Sequence, residues 1–303
     1  QTRPTFRRLL HWIIDIQCNG ITVKYWYDDI LNKIIRKILY NLRSLGLKRT
    51  LIKIIFKIFN FFSLKRYKRK KFKKNLFKIK SIEEIFNKIY STNYWLDDES
   101  RSGTGSSLRS TENIRIHLPK IIERFKIKRL FDAPCGDFNW MPQVLKNVDV
   151  DYIGSDIVED LIVSNRKNEK NNIKFVKLDI RIDKLPVSDL MICRDCLFHF
   201  SYEDIFKFLD NFLISDIKYI LLTSHLNTEN KFENRNIVTG DFRKIDLFSK
   251  PFNFEKNYIY SFVDRDVLEI QHFKHMYLFS KSQIKNYLIK NPRNFHSEGS
   301  NFV

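Results

Sequence analysis

Glycine is scarce in this chain, with 8 residues among 303. The loop after the first predicted strand keeps one glycine, Gly136, and lacks the G-x-G-x-x-G pattern that a dinucleotide site requires. Proline is equally rare, with 7 residues, while Lys, Ile, Asn and Phe are abundant. This bias is consistent with an AT-rich coding sequence, so individual lysines carry little weight.

Cysteine is too rare for a fold stapled by disulfides. The four cysteines are Cys18, Cys135, Cys193 and Cys196. In a chain of this length they are expected to be reduced thiols of a cytosolic protein. Cys193 and Cys196 form a lone C-x-x-C, but a zinc site needs about four ligands and no second Cys or His pair has a suitable spacing. We therefore predict no metal.

Methionine is almost missing as well, and the first one is Met141. We expect the printed start at Gln1 to be a fragment or an unusual translation start. No internal repeat or transmembrane span is evident. A chain of 303 residues with 43% hydrophobic residues is long enough for one substantial core plus an appendage.

Acidic residues are nearly absent from the first 90 positions, which hold 23 Lys+Arg against 5 Asp+Glu. The remaining positions hold 31 Lys+Arg against 30 Asp+Glu, so the net charge of +19 belongs almost entirely to an N-terminal arm. Any contact with nucleic acid or with an anionic membrane is therefore assigned to this arm, residues 1–80.

The arm alternates amphipathic and basic segments. Residues 31–43 place Ile and Leu at helical spacing opposite Lys and Arg, which predicts an amphipathic helix. Residues 51–64 are apolar but too short to span a bilayer, and they suit a position in its interface. Eight of the ten residues 65–74 are basic. We expect a cytoplasmic protein whose residues 31–80 attach it peripherally to the inner, anionic membrane face.

Alternation of short apolar runs with helical stretches follows the arm. Ser81 and Glu84 have capping-box spacing and mark the start of a domain over residues 81–285, with a tail over 286–303. Buried strands are predicted at residues 129–132, 152–156, 174–179, 189–193 and 219–223, and a closing pair at 260–263 and 275–279. This order predicts an α/β fold with a doubly wound, mainly parallel sheet.

The first three predicted strands end in Asp132, Asp156 and Asp179. Ligands of open α/β sheets bind at these carboxyl ends. An acid after the second strand suits two ribose hydroxyls, and one after the third suits an adenine amino group. Three acids without a glycine-rich phosphate cradle favour a cofactor that lacks phosphates.

The loop Asp132-Ala-Pro-Cys-Gly-Asp-Phe-Asn-Trp-Met141 resembles the first motif of class I S-adenosylmethionine (SAM)-dependent methyltransferases, with Pro134 and Phe138 in place of two glycines. A bacterial subgroup associated with surface-polysaccharide gene clusters is more similar still. It shares Tyr94-Trp95, Glu99-Ser-Arg-Ser-Gly-Thr-Gly-Ser106 and Cys193-Arg-Asp-Cys-Leu-Phe-His199 with this chain. The resemblance covers about residues 85–280.

The resemblance implies SAM as cofactor and assigns residues to it. Asp132, Cys135 and Gly136 are expected at its methionine end, Asp156 at the ribose, and Asp179 with Ile180 at the adenine. Arg115 suits the SAM carboxylate, or else a surface or capping role. The complete set of cofactor candidates is Arg115, Asp132, Pro134, Cys135, Gly136, Asp137, Asp156, Ile157, Asp179, Ile180 and Arg194.

Catalytic candidates follow the fourth strand. We predict that His199 is the base for a hydroxyl acceptor and that Asp195 is a second group that contacts the substrate. The alternatives are that His199 has only a packing role and that Asp195 only orders the cofactor site. The substrate candidates are His225, Asp241 and Arg243, in segments where such folds place substrate loops. Arginine, aspartate and aromatic rings there suit a glycan, although a packed lid explains them too.

Three functions remain open at this stage. The first is O-methylation of a sugar in a surface polysaccharide or its lipid-linked precursor. The second is a nucleic-acid methyltransferase guided by the arm. Residues 194–198 lack the [DN]-P-P-[YF] motif of amino-methylating DNA enzymes and the Pro-Cys motif of cytosine-C5 enzymes. Among nucleic-acid reactions, methylation of an RNA ribose is not excluded. The third is a non-catalytic SAM-binding scaffold, which the three intact acids disfavour.

Overall fold

A computed structural model describes residues 78–79, 81–95, 97–227, 232–264 and 274–290. The predicted arm helices at residues 31–43 and 51–64, the basic run at 65–74 and most of the predicted tail lie outside the described residues. Within them, no helix is long and apolar enough to cross a membrane.

The first helix of the described residues, α1 (Ile82–Ser91), begins where the sequence predicts it. The Ser81 hydroxyl accepts a bond from the Glu84 N–H at 3.4 Å, and two glutamates in the first turn face the positive end of the helix dipole. Ile85 and Ile89 are buried one turn apart. Their burial fixes which face of α1 meets the rest of the protein.

In the described residues after α1 there are five further helices and seven strands. In chain order they are α2 (Glu112–Arg124), β1 (Arg129–Asp132), α3 (Met141–Leu145), β2 (Asp151–Asp156), α4 (Glu159–Asn165), β3 (Ile173–Lys177), β4 (Leu190–Cys193), α5 (Tyr202–Ile214), β5 (Tyr219–His225), β6 (Tyr260–Asp264), β7 (Lys274–Ser280) and α6 (Lys281–Lys290). Short 3₁₀ turns lie at Thr104–Ser106, Arg166–Asn168 and Leu197–His199.

The strands form one sheet in the order β3-β2-β1-β4-β5-β7-β6. The pairs among β1 to β5 are parallel, whereas β7 is antiparallel to both β5 and β6. This arrangement confirms the predicted doubly wound, mainly parallel, Rossmann-like sheet. The closing strand pair is also confirmed; β6 is one residue longer than predicted at its end, and β7 is one residue longer at both ends.

Both faces of the sheet are covered, as a parallel sheet requires. Along β4, Leu190 and Ile192 pack with α2, whereas Met191 and Cys193 pack with α5 and α6. All four side chains are fully buried. The central strands are therefore continuous apolar runs, because neither face of these strands meets water.

The third strand ends earlier than predicted, at Lys177 instead of Asp179. The Asp179 carboxylate accepts a bond from the Arg181 N–H at 3.0 Å, and its carbonyl accepts one from the Ile182 N–H at 3.1 Å. Asp179 therefore opens a turn beyond the sheet. An aspartate that bonds its own following backbone competes with the strand ladder, which explains the shorter strand.

Candidate active site

The carboxyl ends of β1 and β4 lie side by side where the strand order reverses. The chain runs from β1 to β2 and β3 on one side and then returns to β4 and β5 on the other. Ligands of open parallel sheets bind in the crevice at such a switch point. The loops at residues 133–140 and 194–201 face this crevice and contain most of the predicted site residues.

The loop after β1 folds against the end of β2. The Gly136 N–H donates to Asp156 Oδ2 at 3.2 Å, and the Val158 N–H donates to Asp156 Oδ1 at 3.0 Å. Asn165, at the end of α4, also holds the loop, because its side chain donates to the Gly136 carbonyl at 2.7 Å. Each Asp156 oxygen uses one acceptor position in these bonds, and a carboxylate oxygen can accept more than one donor.

Two buried acids lie next to each other in this loop region. Burial raises the pKa of Asp156 to about 6, against the lowering effect of its backbone hydrogen bonds. Burial also raises the pKa of Asp132 to about 7, although the Tyr152 hydroxyl donates to it at 2.9 Å. Such acids gain from any ligand that donates hydrogen bonds to them.

Residues 97–107, here called the strap, are bound to the loop after β1. The Ser100 hydroxyl lies 3.0 and 2.9 Å from the two Asp137 oxygens, and the Arg101 N–H donates to Asp137 at 2.9 Å. In return, the Asp137 N–H donates to Ser102 Oγ at 2.9 Å. A Cβ at Gly136, whose φ is +56°, would lie 2.3 Å from this Ser102 oxygen. Asp137, a predicted cofactor residue, therefore holds the strap.

The far end of the strap reaches the loop after β4. Arg194 donates to the Gly105 carbonyl at 2.8 Å, and a Cβ at Gly105 would lie 2.5 Å from Asp195 Oδ2. Asn139 donates to the Ser106 carbonyl at 3.0 Å. The strap thus bridges the two loops that border the crevice, and a Cβ at its closest approach to Asp195 would require that carboxylate to shift.

Arg194 forms a buried ion pair with Asp264 at the end of β6. Its Nε donates to Oδ2 at 2.8 Å and its Nη2 donates to Oδ1 at 3.2 Å. Burial alone would lower the pKa of Arg194, but the carboxylates of Asp195 and Asp264 raise it. Arg194 was predicted to bind the cofactor. In the structure its Nε and Nη2 groups donate to Asp264. A contact between Arg194 and the cofactor stays a prediction.

Asp195 is held by a second buried cation, Lys274. The Lys274 Nζ lies 2.5 Å from Asp195 Oδ2, and the Asp195 N–H donates to Thr223 Oγ1 at 2.9 Å. Burial favours the neutral acid, yet Arg194 and Lys274 together lower the pKa of Asp195 to about 2. Asp195 is therefore a charged acceptor at neutral pH, with 18% of its side chain still accessible.

His199 lies in the 3₁₀ turn after β4 and contacts the Asp241 carbonyl through Nδ1 at 2.8 Å. A carbonyl only accepts, so Nδ1 carries the proton and Nε2 keeps its lone pair. Burial lowers the pKa of His199 to about 4, so the ring is neutral at physiological pH. This tautomer is the one that a general base needs.

His225, at the end of β5, has the opposite tautomer. Its Nδ1 accepts a bond from the Ile245 N–H at 3.2 Å, and burial lowers its pKa to about 3. A neutral ring that accepts at Nδ1 carries its proton on Nε2. His199 and His225 therefore offer one acceptor and one donor, and both interact electrostatically with Asp195.

The other two substrate candidates belong to the segment that packs on the turn after β4. Asp241 contributes its carbonyl to His199, as described above. Arg243 is buried; its Nη1 donates to the Phe200 carbonyl at 2.6 Å and its guanidinium lies 5.3 Å from the centre of the Tyr202 ring. Burial lowers the pKa of Arg243 to about 10. These contacts place Arg243 beneath the site, and a direct substrate contact stays a prediction.

The remaining cofactor candidates surround the crevice more loosely. Arg115 donates to the Leu108 carbonyl at 2.7 Å and to the Gln143 side chain. Asp179 is paired with Arg181 at 2.5 Å. Cys135 and Ile180 are buried, Ile157 is half-buried, and Pro134 follows a cis peptide bond. Their assignments to SAM stay predictions.

Several residues of this site have no predicted role. Asp264 and Lys274 pair with Arg194 and Asp195, and Trp95 places its ring 4.8 Å from that of His199. The sequence carried one signal for Trp95, since Tyr94-Trp95 is part of the motif that supported the resemblance. Asp264 and Lys274 lie opposite each other because of the register between β6 and β7. The amino-acid composition does not predict this register.

In the described part of the chain, no group of three or more His, Cys, Asp or Glu side chains is arranged to hold a metal ion. Cys135, Cys193 and Cys196 are free thiols and buried.

Comparison with known proteins finds no matching family model and no matching curated protein. Among solved structures, human N-acetylserotonin methyltransferase in complex with SAM is 13% identical over 66% of this chain and 60% of its own, with a TM-score of 0.46. Magnesium protoporphyrin IX methyltransferase from Synechocystis PCC 6803, with bound SAH, is 12% identical over 56% and 83%, with a TM-score of 0.41.

The N-terminal domain of EvdMO1, solved in the presence of SAH and D-fucose, is 14% identical over 58% of this chain and 84% of its own, with a TM-score of 0.41. These proteins are similar to the chain in fold, and what they bind is a property of each of them.

Proposed function

We propose that this protein is a SAM-dependent methyltransferase. The observation that carries the proposal is the pair of facing sites at the switch point. On one side, Asp156 and Gly136 form a buried cradle with unused acceptor capacity. On the other side, the neutral His199 and the charged Asp195 offer the groups that a hydroxyl acceptor requires.

The residues present fit such a cofactor. Asp156 keeps acceptor capacity beyond its bonds to the Gly136 and Val158 N–H groups, which suits the hydroxyls of a ribose. The loop after β1 has one glycine, and the N–H groups of residues 135–138 already donate within the protein, so the loop suits a ligand without phosphates. Asp156 would hold the ribose, and Asp132, Cys135 and Gly136 would line the methionine end.

The chain's own residues then handle the acceptor. Bound SAM would supply an electrophilic methyl group for transfer to the acceptor oxygen. His199 takes the hydroxyl proton on Nε2, and Asp241 stabilises the resulting imidazolium through its carbonyl. Asp195 holds the acceptor through a further hydroxyl. The reaction is mainly one of alignment.

The acceptor that we propose is a sugar of a surface polysaccharide or of its lipid-linked precursor. Hydroxyl groups match the acceptors at His199 and Asp195 and the donor at His225. The resemblance of the Glu99–Ser106 and Cys193–His199 motifs to the polysaccharide-associated subgroup supports the same class.

Calorimetry with SAM tests the cofactor assignment. Asp156→Asn should weaken binding by about tenfold or more, because the amide replaces one acceptor oxygen by a donor. Asp160→Asn, an acid in the first turn of the following helix, is the matched control and should bind as wild type does. Unchanged affinity of a folded Asp156→Asn protein would remove Asp156 from the cofactor site.

Peripheral membrane attachment through residues 31–80 completes the proposal. Its support is the sequence alone: most of the net charge of +19 lies in the arm, and each basic residue near an anionic surface contributes about 1 kcal/mol. In a flotation assay the full chain should float with anionic vesicles and much less with phosphatidylcholine vesicles. Failure to float, combined with steeply salt-dependent RNA binding, would favour nucleic acid instead.

A further inference from the structure

Phe242 is an exposed aromatic ring beside the two histidines. Phe242 is 42% exposed. The centre of its ring lies 5.9 Å from the ring centre of His199, 6.4 Å from that of His225 and 5.5 Å from that of Phe198. The ring therefore packs against a buried cluster and is still partly accessible to water. Its position next to the proposed base makes it a surface for the acceptor.

Trp95 contacts the same imidazole from a different part of the chain. Its ring centre lies 4.8 Å from that of His199, at an angle of 43°. The strap supports it from behind, because a Cβ at Gly103 would lie 3.1 Å from the Trp95 Cβ. Two aromatic rings that are 147 positions apart in sequence therefore meet at the one side chain proposed to take the proton.

Polar groups complete the surroundings of these rings. The partly accessible Asp195 carboxylate accepts hydrogen bonds, His199 accepts at Nε2, and His225 donates from Nε2. Lys274 balances the Asp195 charge and also lies 6.0 Å from the centre of the Phe198 ring. Apolar rings with a few convergent polar groups are typical of a small-molecule site.

We propose that Phe242 and Trp95 form the acceptor platform and that the acceptor is a pyranose-type sugar. Its C–H face lies on Phe242, one hydroxyl faces His199 Nε2, and a neighbouring hydroxyl donates to Asp195. This proposal rests on the methyltransferase function above. A planar phenol would also stack on the rings, but it has no neighbouring hydroxyl to donate to the accessible part of Asp195, which disfavours it.

The test uses the full chain with SAM and a panel of methyl hexopyranosides, their monodeoxy derivatives and simple phenols, with products measured by mass spectrometry. Phe242→Ala and Trp95→Ala should raise the KM for the methylated glycoside about tenfold, with kcat within about threefold and SAM affinity unchanged. Val238→Ala, an equally exposed apolar residue of the same segment, is the matched control. The glycoside without the neighbouring hydroxyl should react about tenfold less efficiently than its parent.

Each outcome decides between the two levels of the proposal. If wild type binds SAM and methylates a glycoside, but both aromatic variants behave as Val238→Ala does, the platform is wrong while the function stands. If phenols react in preference to every glycoside, the sugar assignment fails together with the platform. If wild type does not bind SAM at all, the methyltransferase function itself is overturned.

Discussion

Removal of the Asp264 charge should destabilise the protein strongly, because it leaves the Arg194 guanidinium buried. Both side chains are almost inaccessible, at 4% for Arg194 and 0% for Asp264. Breaking a buried pair by removing one partner costs about 3–5 kcal/mol. Arg194 keeps the Gly105 carbonyl and lies 3.5 Å from Asp195, so we expect Asp264→Asn to fall near the lower limit, about 3 kcal/mol.

Thermal unfolding followed by circular dichroism measures this loss. For a domain of this size 1 kcal/mol corresponds to about 2–4 °C in Tm, so Asp264→Asn should unfold about 6–12 °C below wild type. Lys207→Gln is the control, since it removes the exposed Lys207–Glu203 pair with its 2.6 Å contact and should change Tm little. Replacing Arg194 and Asp264 together by Met and Leu should restore more than half of the loss. A Tm change for Asp264→Asn no larger than that for Lys207→Gln would refute the reasoning.

Four further predictions concern single positions. His199→Ala should lower kcat by about 10²-fold with SAM affinity near wild type, and an equal loss in stability would favour a packing role instead. Burial raises the pKa of Asp156 to about 6, so its charge is lost as the pH falls through that value. SAM affinity measured by calorimetry should therefore be about tenfold weaker at pH 5 than at pH 8. Asp156→Asn should remove this pH dependence. Gly136→Ala should destabilise the fold by about 1–3 kcal/mol in urea, because alanine is strained at φ +56° and meets the strap. Ser81→Ala should cost about 1 kcal/mol in the same assay through loss of the cap of α1, and no change would mean that the cap is not formed in solution.

The sequence was sufficient where local patterns decide the structure. Apolar runs that end in Asp132 and Asp156 located two strands and the crevice between their loops, since a parallel sheet places all such ends at one edge. Ser81 and Glu84 located the start of α1 because a cap depends on residues three positions apart. Asp179 shows the limit of the same reasoning, since its bonds to the following backbone take it out of the sheet.

The partners of the catalytic candidates depended on tertiary pairing instead. Lys274 lies opposite both His225 and Asp264 because β7 runs antiparallel to its two neighbours. A shift of that register by one residue would have placed a different side chain next to Asp195. The tautomer of His199 likewise depends on the Asp241 carbonyl, which belongs to a segment 42 residues away.

The strap also sets an order of events during synthesis on the ribosome. Its residues are made before any of the groups that hold it, since Asp137 follows Ser100 by 37 positions and Arg194 follows Gly105 by 89 positions. At about 5–20 residues per second, the strap therefore waits roughly 4–18 seconds for its last partner to be synthesised. The nascent chain meanwhile carries a free segment of serines and glycines beside an unfinished sheet. The crevice is bridged only after β4 and the loop beyond it have left the exit tunnel, so a chain stalled before that point has the cradle around Asp156 but no strap across it.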